Sequence, residues 1–245
     1  MRLLALDTAT EACSVALLTE HGLISASVEI GRGHAQEILG MVDRILAEGG
    51  ATLAGLSGIV AGIGPGSFTG VRVSVAVAQG LAFGAGLPVI PVSSLEALAV
   101  EAIGRGAERV LACLDARMGE VYWGCFAAEG TGLLSALGPP AVGPAAAVRL
   151  PEGGTCAQSA PSGAARWQGI GRGFAAHPGL SVITGLSVGT DDARALPQAR
   201  EMARLGAVRL SAGGGIDPAF LEPLYVRDKV ALTEAERGIE RGVGK

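Results

Sequence analysis

Charge is scarce in this chain of 245 residues. Asp, Glu, Lys and Arg together supply 17% of it, where an average soluble domain carries about 25%, and aromatic residues supply only 4%. The 19 basic residues are outnumbered by 23 acidic ones, for a formal net charge of −4. That argues against a stand-alone nucleic-acid binder, whose phosphate contacts call for a basic patch. The four cysteines, Cys13, Cys113, Cys125 and Cys156, form no Cys-x-x-Cys pair, and all but Cys156 lie in apolar runs. Buried free thiols in a reducing compartment are expected. Histidine is rarer still: His34 is followed four residues on by Ile38, which cannot ligate, and His21 and His177 lie far off in sequence. No metal site and no cofactor are therefore predicted. The first apolar run, Leu3 to Leu6, is cut by Asp7, too short for a signal sequence, and no run reaches the ~18 residues of a membrane span. A soluble, cytoplasmic protein is expected.

Apolar residues are abundant, at 49%, and glycines number 39, about twice the usual ~7% share. So much apolar material with so little charge predicts a large core and a surface that is apolar in places, hence a partner. Strands are predicted at residues 2–7, 13–18 and 22–30, as three antiparallel neighbours. A helix over 33–47 follows, with Ile38, Met41, Val42, Ile45 and Leu46 on one stripe. The strand at 58–63, the helix at 68–84 and the strand at 88–92 make a βαβ unit, so the two strands should be parallel. Ser93 and Glu96 form a capping box for a helix reaching about residue 103.

The turn inside the βαβ unit reads Gly64-Pro65-Gly66-Ser67-Phe68-Thr69-Gly70-Val71-Arg72. Glycines permit tight backbone, Pro65 sets direction, and Ser67 or Thr69 can cap the helix. A phosphate-binding loop would need Lys and Ser/Thr after its last glycine, and Gly70 is followed by Val71 and Arg72. Likewise Thr8 to Ala12 holds no glycine, and Glu11 sets a negative charge where phosphates would lie, so Asp7 reads as a turn cap and ATP hydrolysis is not expected. Pro65 to Thr69 is not a hydrolase elbow, and Gly169 to Phe174 lacks dinucleotide-loop spacing. In the second half, strands are predicted at 110–114, 120–126, 166–170 and 182–183. Residues 129–165 read as a loose loop with one helix near 143–149. A helix over 196–207 takes Asp191, Asp192 or a nearby residue as cap, and the chain is irregular after Gly213 and frayed over 232–245.

Three antiparallel strands followed by alternating helices and parallel strands is the order of an actin-like ATPase lobe. The string GPGSFTGVR and its small-residue helix resemble the signature of the bacterial TsaB (YeaZ) family. Leu6 to Thr10, His34 to Leu39, Asp115 to Tyr122 and Pro223 to Arg227 match in order. Residues 1–125 carry most of the specificity, and two positions depart, with Gln36 where Glu is usual and Gly40 where Pro is usual. The resemblance implies an α/β, actin-like (ASKHA, RNase H-like) fold with lobes at 1–105 and 106–212, the second reduced, and a tail over 213–245. It also implies a non-catalytic subunit that activates a TsaD-type catalytic subunit, together with a TsaE-type ATPase, in threonylcarbamoyl transfer to adenosine 37 of tRNA. tRNA would be met only through the complex. The implied partner surface comprises His34, Ile38, Met41, Val42, Ile45, Phe68, Arg72, Val75 and Gln79, because helix 68–84 is apolar all round and needs cover on every side. An active kinase or metallopeptidase of this fold, or a self-pairing homodimer, stays open from the residues alone.

Overall fold

A computed structural model describes residues 1–130, 133–151 and 166–227. The first sheet has the order β3-β2-β1-β4-β5, from β1 (Leu3–Asp7), β2 (Ala12–Thr19), β3 (Gly22–Glu29), β4 (Gly58–Gly62) and β5 (Val89–Val92). The first three strands are antiparallel and β1, β4 and β5 run parallel, as the sequence order predicts. Helices α1 (His34–Glu48) and α2 (Phe68–Ala85) cover one face. There Leu4, Leu6, Val15, Leu17 and Ile59 meet Ile38, Met41, Val42, Ile45, Val75 and Ala78.

The other face is covered by α7 (Ala199–Ser211), which buries Met202, Ala203 and Leu205 against Leu3, Ala5, Val60 and Ile90. Gly206 permits this approach, since a Cβ there would stand 2.4 Å from Val60 Cγ2. Helix α3 (Ser94–Gly104) carries the predicted capping box and packs Leu95, Leu98, Ala99 and Ala102 onto the second sheet. That sheet runs β10-β6-β7-β8, with β9 also on β7. Its strands are β6 (Arg109–Arg117), β7 (Glu120–Glu129), β8 (Leu133–Ala136), β9 (Ala141–Pro144) and β10 (Trp167–Ile170). The short helices α4 (Gly173–Ala176) and α5 (Gly179–Thr184) close its far side with Phe174 and Leu180, and α6 (Thr190–Arg194) precedes α7.

Four expectations for the second half fail. The loose loop at 129–165 holds, among its described residues, the strands β8 and β9, both paired with β7. The helix near 143–149 is the end of β9 and a single 3-10 turn over Ala145–Ala147, because pairing of β9 with β7 overrides the helix preference of three alanines. Val182 and Ile183 lie in α5, exposed. Helix α7 begins at Ala199 without a side-chain cap from Gln198. Asp191 and Asp192 sit in α6, where Asp192 pairs with Arg105 at 2.8 Å. Cys13, Cys113 and Cys125 are buried free thiols. Cys156 and the predicted frayed tail at 232–245 lie outside the described residues.

Candidate functional site

The glycine-rich turn after β4 is pressed onto the turn after β1. The Ser67 N–H donates to the Ala9 carbonyl at 2.7 Å, and Thr8 Oγ1 donates to the Gly70 carbonyl at 2.6 Å. A Cβ on Gly66 or Gly70 would lie 2.1 Å from the carbonyl oxygen of Ala9 or Thr8 respectively. Gly64 holds φ at +90° before the buried Pro65. Ser67 caps α2 by accepting from the Gly70 N–H at 3.0 Å, while Thr69 is exposed. Gly70→Ala should therefore cost about 1–3 kcal/mol of stability by overpacking, measurable by denaturant unfolding, and an unchanged midpoint would show that the two turns can separate.

Asp7 lies under this junction. Its Oδ1 accepts from the Ala9 N–H at 3.3 Å, whereas Oδ2 is buried without a partner. Gly62 makes room for it, since a Cβ there would come 2.0 Å from Asp7 Oδ1. Burial pushes the Asp7 carboxyl up to about 7, against the lowering effect of hydrogen bonds from the Ala9 and Thr8 backbone. Asp7 is thus a turn cap and also a buried acid.

Between the first-sheet turns and the β6–β7 hairpin lie two adjoining cavities of about 150 and 180 Å³, which share Gly66, Ser67, Ala116, Arg117 and Tyr122 as walls. Pockets for small molecules usually offer about 300–1,000 Å³. Charge pairs bridge the gap: Glu11 meets Arg117 at 2.6 Å and Arg172 at 3.7 Å, and Arg172 meets Glu29 at 2.8 Å. The Arg172 hydrogen bond holds the Glu29 carboxyl below the usual range. Glu11 therefore faces arginines. At the hairpin tip, Arg117 and Met118 carry φ of 61° and 54°, a left-handed conformation that costs about 1–2 kcal/mol per non-glycine residue.

The histidines stay apart. His34 Nε2 lies 2.9 Å from the Thr10 carbonyl, His177 Nε2 is 3.7 Å from Asp115, and His21 is exposed beside Glu20. Among the described residues no three His, Cys, Asp or Glu side chains gather as a metal ion requires.

The outer face of α1 and α2 differs from the predicted partner surface. Ile38, Met41, Val42, Ile45 and Val75 are buried in the first core, so the sheet consumes the stripe and those five positions have no surface to offer. Gln79 turns its amide to the carbonyls of Pro218 and Leu221 at 2.9 and 3.2 Å. Phe68 and Arg72 are exposed, and His34 is half-buried. The exposed apolar residues are Leu39 at 49%, Phe68 at 57% and Phe83 at 58%, with the small Gly40, Ala76 and Gly80 exposed among them. By length and composition alone α2, with mean hydropathy 1.3, could also cross a membrane. In this fold it is packed on the sheet, with Ser74 Oγ donating to the Leu6 carbonyl at 3.4 Å.

Residues 28–234 match the family model described as TsaD: tRNA N6-adenosine threonylcarbamoyltransferase. An Escherichia coli K12 protein named tRNA threonylcarbamoyladenosine biosynthesis protein TsaB is 42% identical over 94% of this chain and 96% of its own. The chain belongs to the TsaB family. A Haemophilus influenzae relative of the same name is 53% identical over 50% of this chain and 52% of that one. Two solved structures from Pseudomonas aeruginosa superpose on it. One, described as an uncharacterized protein with similarity to peptidase YEAZ, has a TM-score of 0.80 at 40% identity and covers 92% of this chain and 99% of that one. The other, YeaZ, has a TM-score of 0.79 at 39% identity and covers 91% and 99%. The fold is the actin-like one that the strand order predicts. Leu39 and Phe83, which sequence reasoning missed, carry a faint signal: each is a large apolar residue off the buried stripe of its helix.

Proposed function

We propose that this TsaB-family chain serves tRNA threonylcarbamoyladenosine biosynthesis as a non-catalytic scaffold. It holds a TsaD-type catalytic subunit in a competent arrangement for threonylcarbamoyl transfer to N6 of adenosine 37, and a TsaE-type ATPase and tRNA join through that complex. The observation that carries this reading is the exposed apolar face of α1 and α2 around Leu39, Phe68 and Phe83. Apolar side chains this exposed on adjacent helices mark an association surface. Two further features support a scaffold. The cleft where relatives of this fold do chemistry is bridged by Glu11, Glu29, Arg117 and Arg172, and of its two turns the one over Thr8 to Ala12 holds no glycine while the one over Gly64 to Gly70 is not followed by Lys and Ser/Thr.

Reconstitution tests the reading. The TsaD-type and TsaE-type subunits of the same organism should form threonylcarbamoyladenosine on tRNA only when this chain is added, and this chain alone should form none. Full activity without it, or product from it alone, would refute the role. Cognate partners are needed because Gln36 and Gly40, which depart from the family pattern, are exposed on α1.

A further inference from the structure

After α7 the chain runs as a strap from the first sheet to the second. Ile216 exchanges both backbone hydrogen bonds with Val89 of β5 at 2.9 Å. Gln79 of α2 grips the carbonyls of Pro218 and Leu221, Leu221 is buried in the first core, and the Leu224 N–H donates to the Ile63 carbonyl at 2.8 Å. As far as Leu224 the strap belongs to the first sheet. Three residues on it holds the second: Arg227 Nη2 donates to the Ala116 carbonyl at 3.0 Å and to Glu120 at 2.5 Å, and Val226 packs on the second-sheet core. Between these anchors Tyr225 is half exposed. It shares the Arg72 guanidinium with Phe68, at 5.2 Å from the Tyr225 ring and 3.3 Å from the Phe68 ring.

We propose that Tyr225–Arg227 couples the exposed face of α2 to the β6–β7 turn across the cleft, so that a partner seated on Phe68 and Arg72 sets the conformation of Arg117 to Gly119. This rests on reading the α1–α2 face as the docking surface for the catalytic subunit, although the coupling itself is a property of the isolated chain. Tyr225 and Arg227 are joined by at most about 7 Å of chain, so a backbone shift at Tyr225 is passed to Arg227 and its bonds to Ala116 and Glu120. The turn also has somewhere to go. Arg117, Met118 and Gly119 all hold positive φ, and the contacts that keep Arg117 and Ala116 in place come partly from outside the second sheet, through Glu11 and Arg227. An element held in a disfavoured conformation by external contacts is one whose equilibrium those contacts bias.

Amide hydrogen exchange over residues 115–122, followed by mass spectrometry, tests the coupling. In the isolated chain Arg72→Ala, which removes the side chain shared by Phe68 and Tyr225, should speed exchange at the distant turn about fivefold or more, while β1 stays protected. Arg227→Met and Glu120→Gln should do the same from the other end. If Arg72→Ala loosens the whole fold, as read at β1, Tyr225→Leu replaces it. With the cognate TsaD-type subunit bound, the wild-type turn should gain at least fivefold protection and that of Arg227→Met should not, and by reciprocity this variant should bind the subunit more weakly by the same factor. Unchanged exchange at the turn in Arg72→Ala and Tyr225→Leu overturns the coupling whatever the partner does. Failure of the wild-type chain to bind the subunit would instead sink the docking surface and leave the exchange result standing.

Discussion

Asp7→Asn should flatten the pH dependence of stability between about pH 4 and pH 8. The Asp7 carboxyl is fully buried with Oδ2 unpartnered, and burial raises it from 3.8 to about 7. Between those values the folded chain binds a proton that the unfolded chain has released, so folded stability falls as pH rises and the loss is complete above about pH 7. At about 1.4 kcal/mol per pKa unit, the wild type should lose up to about 4 kcal/mol across this window through Asp7 alone. Asn keeps the acceptor for the Ala9 N–H and carries no charge, so the variant should gain on the wild type by that order as pH climbs. Urea unfolding of both at pH 4, 6 and 8 reads it directly. A constant gap between the two would mean that the folded chain accommodates the Asp7 charge.

The second large effect separates two neighbours on α1. Met41 is buried in the first core, and Met41→Glu places an uncompensated charge there, a change expected to cost about 3–5 kcal/mol and roughly 6 °C or more in Tm. Leu39, two residues away, faces out. Leu39→Glu should leave stability within about 0.5 kcal/mol yet, on the proposed docking of a TsaD-type subunit against this face, weaken that binding at least about 100-fold, since a charge buried in an apolar contact is left unpaired. Calorimetry and light scattering on both variants decide the matter. A well-folded Met41→Glu would contradict the packing described, and a Leu39→Glu chain that binds normally would move the interface off α1.

These two residues also show how far one sequence can be read. Periodicity reveals which face of α1 is apolar, and the strand order with the GPGSFTGVR turn was enough for the fold and the family. Periodicity is silent on whether a sheet or another chain covers that face, and here the sheet takes Ile38, Met41, Val42 and Ile45. The start of α7 was illegible for a different reason. The N–H of Ala199 is satisfied by Ser14 Oγ at 3.0 Å, from a strand 185 residues away, and no local pattern encodes such a cap. Val182 and Ile183 read as strand because β-branched residues favour sheets, a preference that context overrides. The cleft pairs Glu11–Arg117 and Glu29–Arg172 likewise join residues that only the topology brings together.

Helix α7 has a consequence for how the chain is made. Leu3, Ala5, Val60 and Ile90 find their cover on residues 199–205, so the first five strands emerge from the ribosome with one side of their sheet bare and must wait for nearly the whole polypeptide. At about 5–20 residues per second, that wait from residue 92 to residue 211 lasts roughly 6–24 seconds. Through this interval the nascent sheet presents an uncovered apolar face. A premature stop before α7 should therefore yield a species that aggregates rather than a smaller working protein.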